Sequence, residues 1–319
     1  MDAVARAIDR LIASVPHLDE WPTPIDRREA LSTAAAYAVW RHPIASCLAM
    51  RGEQESALPV SAGVFCSLVS IHLVDDILDD DEGLHTDLGP GRVANFALAL
   101  QAAPSFLVGT GAFRSDLEND LRRRFAALAL DTAYGQALDA EPVRDEADYW
   151  RVVTAKTPPL FREALAMGAR VGGASGEQAD AYGRVGTLLA KIIQIGDDLR
   201  DTLQRPAAPD WHQGSHNLAI LYALVADHPD RQRFTELLPD VVADPEALRQ
   251  AQAILTRCGA ATYCIYQIVD HSQQLEQAII EIAPPDPEPL HRLARAHMTS
   301  LSRVLEQLGV ELPYSLHGT

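Results

Sequence analysis

The sequence predicts an all-α protein. Helical periodicity runs through nearly the whole chain, and alanine and leucine are abundant. No sustained period-two alternation bounded by turn pairs marks a strand. The 319 residues, 47% of them hydrophobic, can bury a sizeable core. No composition shift, low-complexity run or internal repeat marks a linker, so residues 1–319 read as one domain of about ten helices.

The elements follow in order. A first helix covers about Ala3 to Ala13, and Trp21-Pro22-Thr23-Pro24 breaks the chain after it. A second runs from about Asp26, a residue able to cap it, to His42-Pro43. Pro43 ends or kinks that helix, or sits in the first turn of the next. A third spans about Pro59 to Asp81, with Gly83 beyond it, and a fourth Gly91 to Ala102. A long helix covers Ser115 to Ala140 and carries Arg122-Arg123-Arg124, expected to be a solvated face. The next runs from Asp145 to Lys156-Thr157-Pro158-Pro159. Two successive prolines kink the chain there and free backbone carbonyls. It resumes to Arg170 and stops at Gly172-Gly173. Glu177 to Asp201 follows, then a loop at Pro206 to Asp210. Helices at His216–Ala226 and Pro229–Leu238, a long one over Glu246–Ile282, a break at Pro284-Pro285 and a last helix over Pro289–Leu308 complete the chain.

The net charge of −17 argues against non-specific binding to nucleic acid or anionic membrane. Four cysteines, Cys47, Cys66, Cys258 and Cys264, show no C-x-x-C pairing, which fits reduced thiols in a cytoplasmic compartment. Met1 to Leu11 carries Asp2 and Asp9 and no apolar core of a signal peptide. No stretch is expected to be apolar enough to span a membrane.

Two acidic runs organise the rest: Asp75-Asp76-Ile77-Leu78-Asp79-Asp80-Asp81 and Asp197-Asp198-Leu199-Arg200-Asp201. Both read D-D-x-x-D. On a helix, residues i and i+4 share one face and i+1 lies about a quarter-turn away. Two carboxylates about 6 Å apart repel by roughly 3 kcal/mol at an effective dielectric of about 20. A solvated acidic face would explain either run alone. Here each is embedded in apolar helix, with Leu73, Val74, Ile77 and Leu78 around the first and Leu188, Leu189, Ile192 and Ile193 before the second. The repeat suggests two walls facing one cavity, with a hard cation such as Mg²⁺ shared between carboxylates and substrate phosphates. His72, three residues before Asp75, could support a metal site, but packing is the plainer reading.

The ordered set of Asp75, Asp76 and Asp79, then Gly135-Gln136 with Asp139, then Lys156-Thr157, then Tyr182-Gly183, Gly186 and Gln194-Ile195-Gly196-Asp197-Asp198-Leu199-Arg200-Asp201 resembles the all-trans polyprenyl diphosphate synthase family over roughly residues 39–221. The resemblance implies a helical barrel of the isoprenoid-synthase type and an enzyme that ionises an all-trans allylic prenyl diphosphate. It implies three Mg²⁺ between the motifs and the diphosphate. Asp75 and Asp79 would hold two ions; Asp197 would hold the third, with Asp76, Asp198 and Asp201 in the same carboxylate set. Lys156 would contact the diphosphate, and the Thr157 carbonyl and Gln194 amide would face the developing cation. A homodimer is the family habit.

The sequence departs from the family where a second diphosphate, that of isopentenyl diphosphate, would be gripped. Val39 and His42 stand at a lysine and an arginine position, Leu68 at a histidine position, and an arginine pair is missing from Gly83-Leu84-His85-Thr86-Asp87. Each loss removes a charge or donor for phosphate. Arg41 and Arg205 are the remaining candidates for diphosphate contacts. Leu73 to Leu84, with Asn217-Leu218-Ala219 later, is also similar to the prenyltransferase of the moenomycin pathway, whose acceptor is not isopentenyl diphosphate. By the family picture Ile71, Ser70, Ser67 and Phe65 form the floor below Asp75. Each helical turn is about 5.4 Å, so a C15–C20 chain is expected. Four readings follow: a prenyltransferase with another acceptor, a terpene cyclase on the same fold, an ordinary chain-elongating synthase, and a non-catalytic partner subunit.

Overall fold

The computed structural model describes residues 3–20, 38–79, 83–213 and 216–307. Among the described residues there is no β-strand. The helices are α1 (Ala3–Ala13), α2 (His42–Ala49), α3 (Gln54–Asp79), α4 (Leu84–Leu88), α5 (Pro90–Thr110), α6 (Ser115–Asp139), α7 (Glu146–Lys156), α8 (Pro158–Val171), α9 (Gly176–Leu203), α10 (Asp210–Gln213), α11 (Leu218–Val225), α12 (Arg231–Leu237), α13 (Pro245–Arg257), α14 (Ala260–Ile282) and α15 (Glu288–Gln307). The helix expected from Asp26 falls largely outside the described residues, as do Asp80, Asp81 and the end of the last helix.

The boundaries differ from expectation where local signals mislead. α3 starts at Gln54, with Pro59 inside its first turns, and α5 reaches Thr110 with Pro104 inside it. Pro43 sits in the first turn of α2, where its missing N–H costs nothing. The long helix expected over 246–282 is two helices. Gly259 breaks it with φ +91°, a left-handed conformation that glycine adopts without strain.

The chain divides into two compact units, with α6, α8, α9, α14 and α15 each crossing a boundary. The first comprises Met1–Ala133, Pro159–Thr187 and Gln277–His297. Its centre is α3, which packs along α5 and also meets α1 and α2. Ile8, Ile12, Trp40, Phe65, Leu73, Phe96 and Leu107 form its core. Burying one such side chain stabilises by about 1.5–3 kcal/mol. The arginine triplet is not one solvated face. Arg123 points outward, but Arg124 is only 15% exposed and reaches Glu163 at 3.0 Å and Asp180 at 2.9 Å. It ties α6 to α8 and α9. The expectation that no stretch is apolar enough to span a membrane is also corrected. Residues Gln54–Leu78 and Pro90–Thr110 reach mean hydropathies of 1.9 and 1.3. They are long apolar helices packed on one another, and 67% of the first window is buried.

The second unit comprises Tyr134–Pro158, Leu188–Glu276 and Met298–Thr319. Its helices α11, α12 and α13 pack among themselves, and α11 also meets α7. Tyr149, Phe234, Leu248 and Ile268 are buried in it. Cys47, Cys66, Cys258 and Cys264 are all free thiols.

Candidate active site

The first unit carries the first aspartate motif at the C-terminal end of α3. Asp75 and Asp76 are partly buried there, and Asp79 is the last residue of the helix. His72 is exposed, so it does not serve the packing role expected of it. Below the motif, Phe65, Ser67 and Ser70 are buried and Ile71 is half-buried. The Ser70 hydroxyl donates to the Ala97 carbonyl of α5 at 2.8 Å, so it serves the α3–α5 contact.

The same unit shows what has become of the residues before the motif. Val39 is 1% exposed, and His42 is fully buried. The His42 ring stands 3.1 Å from His297, Nε2 to Nε2, and lies against Phe161. One Nε2 must donate and the other accept, so the two rings cannot both be charged. Burial holds His42 well below the ordinary histidine range, reinforced by His297, and pushes His297 down to about 4. A neutral imidazole enclosed in this way cannot grip a diphosphate. Arg41 is exposed, with its guanidinium carbon 4.4 Å from the centre of the Trp40 ring.

The second unit carries the kink and the second motif. Pro158 and Pro159 bring no N–H, so α7 ends at Lys156 and the carbonyls of Thr154 and Ala155 lose their helical donors. Gly135 of α6 abuts this break. A Cβ there would stand 2.3 Å from the Ala155 oxygen and 2.6 Å from the Lys156 Cα, so only glycine lets the two helices approach. The approach brings the Asp139 carboxylate to the Lys156 ammonium as an ion pair.

The carboxylates of the second motif divide by environment. Arg200 reaches Asp197 at 2.6 Å and Asp201 at 3.2 Å, and these two aspartates remain 31% and 21% exposed. Burial pushes the Asp201 carboxyl up to about 6; Arg200 opposes this, while Asp210 and Asp197 add to it. Asp198, expected beside them in the metal set, is 2% exposed, with both oxygens occupied by protein donors. Tyr149 donates its hydroxyl to Oδ2 at 2.6 Å, the Leu218 N–H donates to Oδ2 at 2.8 Å, and Gln194 donates Nε2 to Oδ1 at 3.0 Å. Burial pushes this carboxyl up to about 7 against those three hydrogen bonds. Thr157 donates its hydroxyl to Gln194 Oε1 at 3.0 Å. Asn217, the N-cap of α11, donates to the Asp198 carbonyl at 2.9 Å. Arg205 is held by Gln252 Oε1 at 2.9 Å.

Among the described residues no group of three or more histidine, cysteine or acidic side chains is gathered as a metal cage. The donor chemistry nevertheless suits a hard divalent ion that takes its remaining oxygens from a phosphate-bearing substrate. Asp197 and Asp201 share Arg200 and stay partly exposed, so their oxygens are within reach of such an ion.

Sequence reasoning did not single out Tyr149, and it named Asn217 only within the resemblance carried by Asn217-Leu218-Ala219, not as a helix cap. An N-cap signal, Asn217 before the apolar run Leu218-Ala219-Ile220-Leu221, marks that role. Tyr149, two helical turns before the kink, carries only a weak signal.

The class is set first by the fold. Over 94% of this chain and 96% of the other, it superposes on the geranylgeranyl pyrophosphate synthase from Corynebacterium glutamicum complexed with calcium and isoprenyl diphosphate, with TM-score 0.75 and 20% identity. The polyprenyl synthetase from Streptomyces coelicolor A3(2) gives TM-score 0.72 at 19% identity, over 94% and 95% of the two chains. This is the all-α fold of the isoprenoid synthases. Residues 44–255 match the polyprenyl synthetase family, and the chain belongs to that family. Among its relatives, the nonaprenyl diphosphate synthase of Mycobacterium tuberculosis is 26% identical over 217 residues, which is 64% of this chain and 65% of that protein. The geranylfarnesyl diphosphate synthase of Aeropyrum pernix is 25% identical over 226 residues, 65% of this chain and 70% of that protein. The chain thus matches about two thirds of the length of these relatives.

Proposed function

We propose that this protein is a Mg²⁺-dependent prenyltransferase that ionises an all-trans allylic diphosphate of C15–C20 length and passes the prenyl group to an acceptor other than isopentenyl diphosphate. The family membership and the two aspartate motifs support the ionisation. The buried, neutral His42–His297 pair is the observation that carries the choice of acceptor.

Heterolysis of an allylic C–O bond leaves a carbocation and pyrophosphate. Bound divalent ions would neutralise the departing pyrophosphate. Asp75, Asp76 and Asp79 on α3, and Asp197 and Asp201 on α9, are the residues that would hold them. Lys156 adds a cation for the diphosphate, and Asp139 keeps its ammonium in place. Thr157 and Gln194 supply fixed dipoles that need no reorganisation as charge develops. Arg41 and Arg205 are further cations available to phosphate. Exposed Leu98 and Phe106 on α5 fit the homodimer expected of the family. The reading also includes the expected cytoplasmic location.

The same loss of a second diphosphate grip favours one other reading, a terpene cyclase, in which the cation is quenched within the prenyl chain. The experiment is Mg²⁺-dependent pyrophosphate release from geranyl, farnesyl and geranylgeranyl diphosphate, followed by product extraction. Release with the longer substrates is expected. A cyclic hydrocarbon or alcohol as the main product would assign a cyclase. No release from any of the three would overturn the reading.

A further inference from the structure

One group at the site is turned wholly inward. Asp198 lies in the acidic run, yet its carboxylate faces three protein donors. Two of them, the Tyr149 hydroxyl and the Leu218 N–H, meet at Oδ2. The third is the Gln194 amide at Oδ1, and Gln194 in turn accepts from Thr157. The Gln194 group that meets this carboxylate is the NH₂, which an ionised carboxylate can only accept from. That choice leaves Oε1 on the Thr157 side. Burial and the adjacent Asp198 raise the Tyr149 phenol well above its ordinary range, so it remains a donor.

We propose that Tyr149 and Asp198 are positioning residues: together they fix which end of the Gln194 amide points where, and Asp198 acts as an anchor for that dipole rather than as a metal ligand. The proposal rests on the prenyltransferase reading for its effect on turnover, but not for its geometry. The arrangement makes a definite statement about Asp198→Asn. The Leu218 N–H belongs to the backbone and cannot become an acceptor. The oxygen of the new amide must therefore stay on that side, and its NH₂ must face Gln194. Two NH₂ groups cannot bond to each other. Gln194 would turn over, giving Oε1 to residue 198 and its NH₂ to the Thr157 hydroxyl oxygen, which can accept. The packing is preserved and the dipole is reversed.

The test compares Asp198→Asn and Tyr149→Phe with Asp197→Asn. The ¹⁵N side-chain amide signal of Gln194, identified by its loss in Gln194→Leu, is expected to shift in Asp198→Asn. Mg²⁺-dependent binding of inorganic pyrophosphate, measured by calorimetry, is expected to stay within about threefold of wild type in Asp198→Asn and Tyr149→Phe, and to weaken more than about tenfold in Asp197→Asn. For release of pyrophosphate from the allylic substrate, kcat is expected to fall about tenfold or more in both positioning variants while KM stays within about twofold. An unshifted Gln194 signal would overturn the proposal, as would pyrophosphate binding lost in Asp198→Asn as fully as in Asp197→Asn, or an unchanged kcat in both variants. If the wild-type protein releases no pyrophosphate, the prenyltransferase reading fails, and the Gln194 signal still decides the positioning chain.

Discussion

Two neighbouring carboxylates, Asp197 and Asp198, stand in different surroundings. Asp197 stays partly exposed beside Arg200, whereas Asp198 is enclosed by Tyr149, Gln194 and Leu218. On the proposed function, replacing Asp75 or Asp197 by Ala would remove a charged oxygen donor that holds a divalent ion against the departing pyrophosphate. Turnover is expected to drop by about 10²-fold or more; steady-state pyrophosphate release measures it, and retention of wild-type rates would remove these residues from the mechanism. The His42–His297 pair gives a pH prediction. His297 titrates near 4 in the folded protein, below an unfolded value near 6.5, so the unfolded chain binds the extra proton between them. Stability is therefore full above about pH 6.5 and falls as pH drops toward about 4, by up to about 3 kcal/mol for this group. Urea midpoints at pH 7 and pH 5 should separate in wild type and separate less in a double variant with His42→Leu and His297→Leu. Equal separations would refute the assignment. The carboxylate spacing was legible in the sequence because it is local. The pairs Tyr149–Asp198 and His42–His297 were not, because their partners lie 49 and 255 residues apart and no helical period connects them.

At the scale of elements, α3 and the α6–α7 junction carry the testable geometry. Ile71 lies one turn below Asp75 on the same face and is half-buried, so a larger ring there would block a chain running along α3. Ile71→Phe is expected to shift preference toward shorter allylic substrates, read from kcat/KM for geranyl against geranylgeranyl diphosphate. An unchanged ratio would place the chain elsewhere. Ser70 is the poorer probe, since its hydroxyl is committed to Ala97. Gly135→Ala would force α6 away from Ala155 and loosen the Asp139–Lys156 pair. We expect a loss of about 1–3 kcal/mol in urea unfolding, with reduced turnover; an unaltered midpoint would mean the helices can part freely. The kink was legible because Pro158-Pro159 dictates it. The split of residues 246–282 was not, because a single glycine is a weak breaker until its φ is known.

For the whole molecule, the all-α class and family were readable because an ordered set of motifs spans some 180 residues, from about 39 to 221. The apolar character of α3 and α5 was underestimated because helices in the middle of an all-α protein bury more than one face. The chain carries a net charge of −17, and the proposed allylic diphosphate is itself anionic, so on the proposed function bound cations are a condition of activity. Chelation by EDTA should therefore abolish pyrophosphate release, and added Mg²⁺ should restore it. The most direct test of the central claim is the dependence of that release on isopentenyl diphosphate. With farnesyl or geranylgeranyl diphosphate and Mg²⁺, the account predicts a rate unchanged by isopentenyl diphosphate and no product longer by an isoprene unit. Release that requires isopentenyl diphosphate and yields a lengthened diphosphate would contradict it and make this protein a chain-elongating synthase.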